Sequence, residues 1–345
     1  MAELVLDSMV DAAPWVAVGP DGATPSDAIA CAVDTSVYHL GEDRSSLRIV
    51  GTTGAAQHRL IRTIAAVDLR PFDELRLAIR GDRVAGMRGG QPFYLELRLS
   101  SAVAPPDSVT NPWYRLLPVP GDSWTVVRLS LTDLPDAVRS AVERVQLRCV
   151  DARSGFRILL DDLLAVRHEP SVDADAGLIR RLHNRLQLNG QRVPAQVQVA
   201  GDALPPGRPL ILLHPYTARF AEQRRVGGES EGDYRTDGYS LRPVATPWDL
   251  YYAVEALAAD RASQAALIDF VLGALPPRGT LPVCGFALPC DNVAPGEAVA
   301  GTGFPTRRLL LHYRVATWQE SGQPRPVRPA ETVRVEIDAR EVADA

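Results

Sequence analysis

The sequence predicts a mainly β chain in two parts: a β-sandwich over residues 1–168, then a smaller α+β domain over residues 178–345, with a short linker at 169–177 between them. Three observations carry this. The chain has 345 residues, long for one domain and comfortable for two. Residues 123–166 read as strand, short helix or loop, strand, turn, strand, and Val126, Arg128 and Ser130 alternate with Val127, Leu129 and Leu131. Such period-two patterns between turn residues specify antiparallel β structure with one buried face. After the acidic run at 168–177, HEPSVDADAG, the pattern changes to one led by a helix.

Taken in order, residues 4–6, 15–18, 47–49 and 60–67 supply the first strands, with the turn Gly19-Pro20-Asp21-Gly22 among them. The clearest central strands are at 72–79 and 93–99, separated by the loop GDRVAGMRGGQP. A second loop covers 104–113. Val145, Leu147 and Cys149 alternate along the next strand, and Phe156, Ile158 and Leu160 along the one after the Ser154-Gly155 turn. At least seven short strands at even spacing fit a sandwich. Leu97, Leu129, Leu147 and Ile158 are its expected core.

In the second part, Asp175 reads as an N-cap before a helical stripe of Leu178, Ile179, Leu182 and Leu186. Asn189-Gly190 signals a hairpin, and the apolar run at 209–214 a central strand. Residues 221–236 turn polar and read as an exposed arm. Residues 248–257, WDLYYAVEAL, fit a strand or a helix start. Asp260 to Ser263 supply a turn and N-cap for an amphipathic helix through Ala274, and Pro276-Pro277 stop it. Strands at 308–315 and 332–337 finish the chain.

Every basic residue is an arginine, 37 in all, and the net charge is −5. Up to Gly177 there are 18 arginines against 24 acids, and beyond it 19 against 18, so neither part has the basic stripe of a nucleic-acid binder. No run of about 20 apolar residues predicts a membrane span. The N-terminus lacks the basic, long-apolar pattern of a signal peptide, which predicts assembly in the cytoplasm. Cys31, Cys149, Cys284 and Cys290 are then expected as reduced thiols, Cys149 buried, with a Cys284–Cys290 disulfide the alternative.

Chemistry-bearing motifs are sparse. There is no GxSxG, HExxH, Walker loop or strand–GxGxxG–helix, and the six histidines are dispersed, so neither catalysis nor a cofactor is expected. His214 and His312 lie on apolar strands and read as core or interface histidines. Asp161-Asp162 is either a metal-ligand pair or a turn-capping one. Trp113 and Tyr114, in a proline-flanked loop, are candidates for a sugar-stacking platform, whereas Trp124 opens a strand and reads as core.

The order of features at 123–166 resembles the closing half of the galactose-binding-like β-sandwich, the jelly roll used by many carbohydrate-binding modules. From Leu178 to Gly285 the order of helix, hairpin, strand PLILLH, charged arm, Asp249-Leu250-Tyr251-Tyr252, helix and Pro277-Arg278-Gly279 resembles the tail-terminator and tail-completion proteins of phages and phage-like contractile injection systems. A minimal terminator lacks the sandwich. The resemblance implies a structural subunit at the cap or neck, forming a ring, commonly a hexamer, that contacts tube and sheath. The arm, with Arg224 and Arg225 close to Glu229 and Glu231, suits such subunit contacts; as a long polar loop it is expected to be mobile in the monomer and ordered in the ring, and deletion of 225–233 to leave the fold intact. The alternative is a carbohydrate-binding adhesion or accessory protein using the sandwich.

Overall fold

The computed structural model describes residues 3–40, 44–86, 92–106, 108–198, 209–293, 310–320 and 324–327. The first half holds β1 (Glu3–Asp7), β2 (Trp15–Val18), β3 (Ile29–Asp34), β4 (Ser46–Gly51), β5 (Arg59–Val67), β6 (Glu74–Gly81), β7 (Val84–Ala85), β8 (Leu95–Ser100), β9 (Arg115–Leu117), β10 (Val119–Pro120), β11 (Thr125–Ser130), the short helix α1 (Asp136–Arg139), β12 (Val142–Cys149) and β13 (Phe156–Val166). The second holds α2 (Pro170–Leu182), β14 (Gln187–Leu188), β15 (Gln191–Arg192), β16 (Ala195–Val197), β17 (Leu210–Phe220), a 3-10 turn (Glu222–Arg224), β18 (Glu229–Arg235), β19 (Gly238–Pro243), β20 (Thr246–Leu257), α3 (Arg261–Ala274), β21 (Arg278–Val283), β22 (Phe286–Asn292), β23 (Leu310–Gln319) and β24 (Arg325–Val327).

Alternation builds the first half as expected. One sheet runs β11-β6-β13-β4-β3 with β1 on β13, and the other runs β2-β5-β12-β8-β9. Leu147 pairs with Leu60 on one side and Leu97 on the other, and all three are buried. Across the sandwich lie Ile49, Leu77, Leu129 and Ile158, buried in the same core. The fold is mainly β, a sandwich followed by an α+β half.

In the second half β16-β17-β20-β23-β22-β21 form one sheet, parallel only between β16 and β17. The apolar sides of α2 and α3 close a second core on it, with Leu178, Leu182, Leu267 and Val271 against Leu213, Tyr252, Val254 and Tyr313. Asp260 caps α3 through its side chain, which accepts from the Ser263 N–H at 2.8 Å. β18, β19 and β24 make a separate three-stranded sheet. The two cores share a strand: along β13, Leu163 and Ala165 belong to the first and Leu164 and Val166 to the second.

Several local expectations need correction. The linker at 169–177 is largely helix, because Pro170 opens α2 where a missing N–H costs nothing. Asp175 is inside α2 rather than at its cap, and its carboxylate accepts from the Tyr252 hydroxyl at 2.8 Å. Residues 248–257, which fitted either a strand or a helix start, take the first of these as most of β20. The polar segment 221–236 is largely β18 and its approach, not an irregular loop. The strand expected at 332–337 lies outside the described residues.

Candidate functional site

The most developed polar constellation is a seam between the two halves. In β6 and β11 the leucines point into the sandwich and the residues between them point out. Outward come Glu74, Arg76 and Arg128, with Arg76 and Arg128 directly opposite each other in the register. Two facing arginines repel unless a carboxylate sits between them. Glu74 fills that role: it accepts from Arg76 Nε at 2.7 Å and from Arg128 Nη2 at 2.8 Å. A third arginine, Arg242 of β19, reaches the same carboxylate from the other half at 3.0 Å. Burial alone pushes the Glu74 carboxyl up, but the three guanidinium charges outweigh it and hold it at about 2.

Arg242 bridges to a second acid. Its Nη2 lies 2.9 Å from Asp233 of β18, which also accepts from Ser240 Oγ at 2.8 Å and from the backbone N–H of Ser130 in the sandwich. Arg115 of β9 donates to Asp233 at 3.4 Å, to the Ser130 carbonyl at 3.0 Å and to Asp133. Arg235 joins Asp133 from the other side. Burial raises the Asp233 carboxyl, and Arg242 and Arg115 then bring it below the usual carboxylate range. These groups alternate in sign, which is what lets so many charges sit at low exposure. Beside Arg115, Asp133, Asp233, Arg235 and Tyr239 a cleft of about 650 Å³ opens between the sandwich and the three-stranded sheet.

A second contact closes the seam. Cys284 and Gly285 form the two-residue turn of the β21–β22 hairpin, both at positive φ, 49° and 79°, as a type I′ turn requires. The turn lies on the sandwich: Arg76 Nη1 donates to the Cys284 carbonyl at 3.0 Å, and the Cys284 N–H donates to Glu3 at 3.0 Å. The Arg76 guanidinium stacks on Phe286 at 4.8 Å. Nearby, His168 sets one ring nitrogen 2.6 Å from Asp173 and the other 2.7 Å from the Trp318 carbonyl.

The residues singled out from the sequence fall as follows. Arg224 is engaged within the chain, 2.7 Å from Asp249 and bonded to the Trp248 carbonyl. Arg225 is exposed beside a groove of about 470 Å³ lined by Phe220, Val226 and Pro243. Glu229 accepts from Arg325 of β24 at 2.9 Å, and Glu231 from the Tyr234 hydroxyl at 3.3 Å. Trp113 is 2% exposed, under the Arg115 guanidinium, so it is no stacking platform for a sugar. Tyr114 lies under Arg98, and its hydroxyl is 3.0 Å from Thr236 Oγ1 of the arm. Trp124 is half-buried beside His39.

Asp161 is buried and accepts from the His39 N–H at 2.8 Å; Asp162 has φ 47° at a bulge in β13. No group of three metal-ligating side chains occurs among the described residues. His214 sits 3.1 Å from Glu255, and burial lowers the His312 imidazole. All four cysteines are free thiols, and burial pushes Cys149, Cys284 and Cys290 up to about 12. The premise that 225–233 makes few buried contacts fails on Asp233, which is 4% exposed and holds four partners. Sequence reading missed the seam because outward charges on a strand normally face water, and nothing local tells that a second domain covers them.

No protein-family description matches the chain, and no curated protein does. Among solved structures it is similar to the sheath/tube terminator of an extracellular contractile injection system, PVC, in the extended state. That match has 18% identity over 52% of this chain and 67% of that one, with a TM-score of 0.36. It is also similar to a family 11 carbohydrate-binding module of Clostridium thermocellum, at 10% identity over 48% of this chain and 95% of that one, TM-score 0.33. A family 30 carbohydrate-binding module matches at 18% identity over 48% and 89%, TM-score 0.32.

Proposed function

We propose that the chain is a structural subunit of a phage tail or phage-like contractile injection particle, a cap or neck ring assembled in the cytoplasm and contacting tube and sheath. Its role is architectural rather than catalytic. One observation carries the reading. β17 and β20, 11 and 12 residues long, extend from the helix-covered core and bear the β18–β19 hairpin on their far ends. Every side chain buried in that hairpin, Asp233, Ser240 and Arg242, is polar; Asp233 and Arg242 bind the sandwich, and Ser240 holds Asp233 in place. The order of elements from α2 through Pro277-Arg278-Gly279 supports the same reading. The aromatic pair that would favour glycan binding is engaged internally at Trp113 and Tyr114.

The test is the size and company of the purified chain. Rings by negative stain, or co-purification with tube and sheath proteins expressed beside it, are the expected result. A strict monomer that joins neither, at any concentration, rejects the reading.

A further inference from the structure

The hairpin arm is attached to its own half and docked on the other by different means. Its attachment is a pair of connections. Arg224 pins the incoming one to β20. Beyond it Arg225 to Gly228 are exposed, and Gly227 and Gly228 have no atom within 4 Å of a would-be Cβ. Val244 and Ala245 form the outgoing connection, and both connections line the groove of about 470 Å³ rather than a packed core. The docking is mainly charge and hydrogen bond: Arg242 to Glu74, Asp233 to Arg115 and Ser130, Arg235 to Asp133, Thr236 to Tyr114, with one ring contact, Tyr234 on Phe93 at 5.3 Å between centroids. Among the described residues, none from 222 to 247 belongs to either hydrophobic core.

Each core can therefore form without the arm. What the arm needs is a partner with a carboxylate at Glu74, a guanidinium at Arg115 and a carboxylate at Asp133, and every copy of this chain carries that surface. Docking on a neighbouring copy remakes the same ion pairs, so the exchange leaves no buried charge unpaired, the outcome that makes breaking such pairs costly. An arm passed from each subunit to the next is a head-to-tail contact, the kind that closes rings. We infer that in the assembled ring the β18–β19 hairpin docks on the sandwich of the adjacent copy, in the site it occupies on its own sandwich in the single chain. This rests on the ring assembly proposed above.

The chain has no lysine, so cross-linking must use thiols. In a Cys31→Ser background, Tyr114→Cys and Thr236→Cys are made on separate, differently tagged chains and also together on one chain. The two single variants are co-expressed, rings are isolated, and a short bismaleimide is added. A covalent two-chain product in the mixture, absent from either variant alone, is the expected result. In dissociated monomers the double variant should instead link internally, which shows that the pair reacts when docked. Rings that give only internally linked chains, or no linkage at all, overturn the exchange and leave the ring standing. Failure of the unmodified chain to form rings overturns both.

Discussion

Arg242 reaches Glu74 at 3.0 Å across 168 positions of sequence, and that contact joins β19 of the second half to β6 of the sandwich. Removing the carboxylate charge leaves Arg76, Arg128 and Arg242 crowded and unbalanced. Glu74→Gln should therefore cost about 3–5 kcal/mol, the range for breaking a buried ion pair from one side. Chemical denaturation of the two proteins reads the difference. A cost within about 0.5 kcal/mol, the usual surface value, would mean water, not the arginines, solvates Glu74.

The same carboxylate sets an acid limit. Its folded value of about 2 lies below the ordinary 4.5, so its contribution is fully present above the ordinary value and is lost as pH falls through about 2. The denaturation midpoint of the parent should drop on acidification through this window by more than that of Glu74→Gln. Parallel curves for the two proteins would contradict the assignment.

Deletion of residues 225–233 removes Asp233 and leaves Arg115 with less compensation at 1% exposure. The deletion should lower the midpoint of thermal unfolding by circular dichroism, whereas the sequence alone suggested an intact fold. An unchanged midpoint would restore the expectation that the fold does not need this segment.

Gly177 of α2 packs directly against β21. A Cβ there would stand 2.5 Å from Val283 Cγ2 and 3.3 Å from Leu281 Cβ. Gly177→Ala gains up to about 1 kcal/mol of helix propensity but forces Val283 to move, and overpacking of this kind costs about 1–3 kcal/mol. Net destabilisation is expected by urea titration; net stabilisation would show that the helix can shift freely.

Leu147 tests the strand phase. It is 1% exposed between Leu60 and Leu97, and Leu147→Ala should cost about 2–5 kcal/mol. Residues 1–168 expressed alone should unfold in one transition, since that core draws only on residues before 166. Leu164 and Val166 would be uncovered, so the midpoint should fall below that of the whole chain. A fragment without a cooperative transition would show that the sandwich depends on its partner.

What could be read from sequence was what alternation and capping encode locally. Leu129, Leu147 and Ile158 fell on the buried face because period two leaves only two choices, and Asp260 capped α3 because an Asp before an apolar stripe has few other uses. The start of α2 was missed because Glu169 makes no side-chain cap and Pro170 reads as a break. β18 was missed because its inward residue is Asp233, whose counter-charges Arg115 and Arg242 come from elsewhere. Trp113 was misplaced for the same reason: the cation that covers it is Arg115, and a loop sequence does not announce its roof.

The shared strand β13 has a mechanical consequence. Leu163 and Ala165 are gripped by one core, Leu164 and Val166 by the other, within four consecutive residues. A pull applied to the α+β half is carried into the sandwich by a continuous β backbone, with no slack tether to extend first. A one-residue slip of that strand would turn both sets of side chains to the wrong side at once. The two halves are therefore joined through one continuous strand, so a displacement of either core is passed directly to the other.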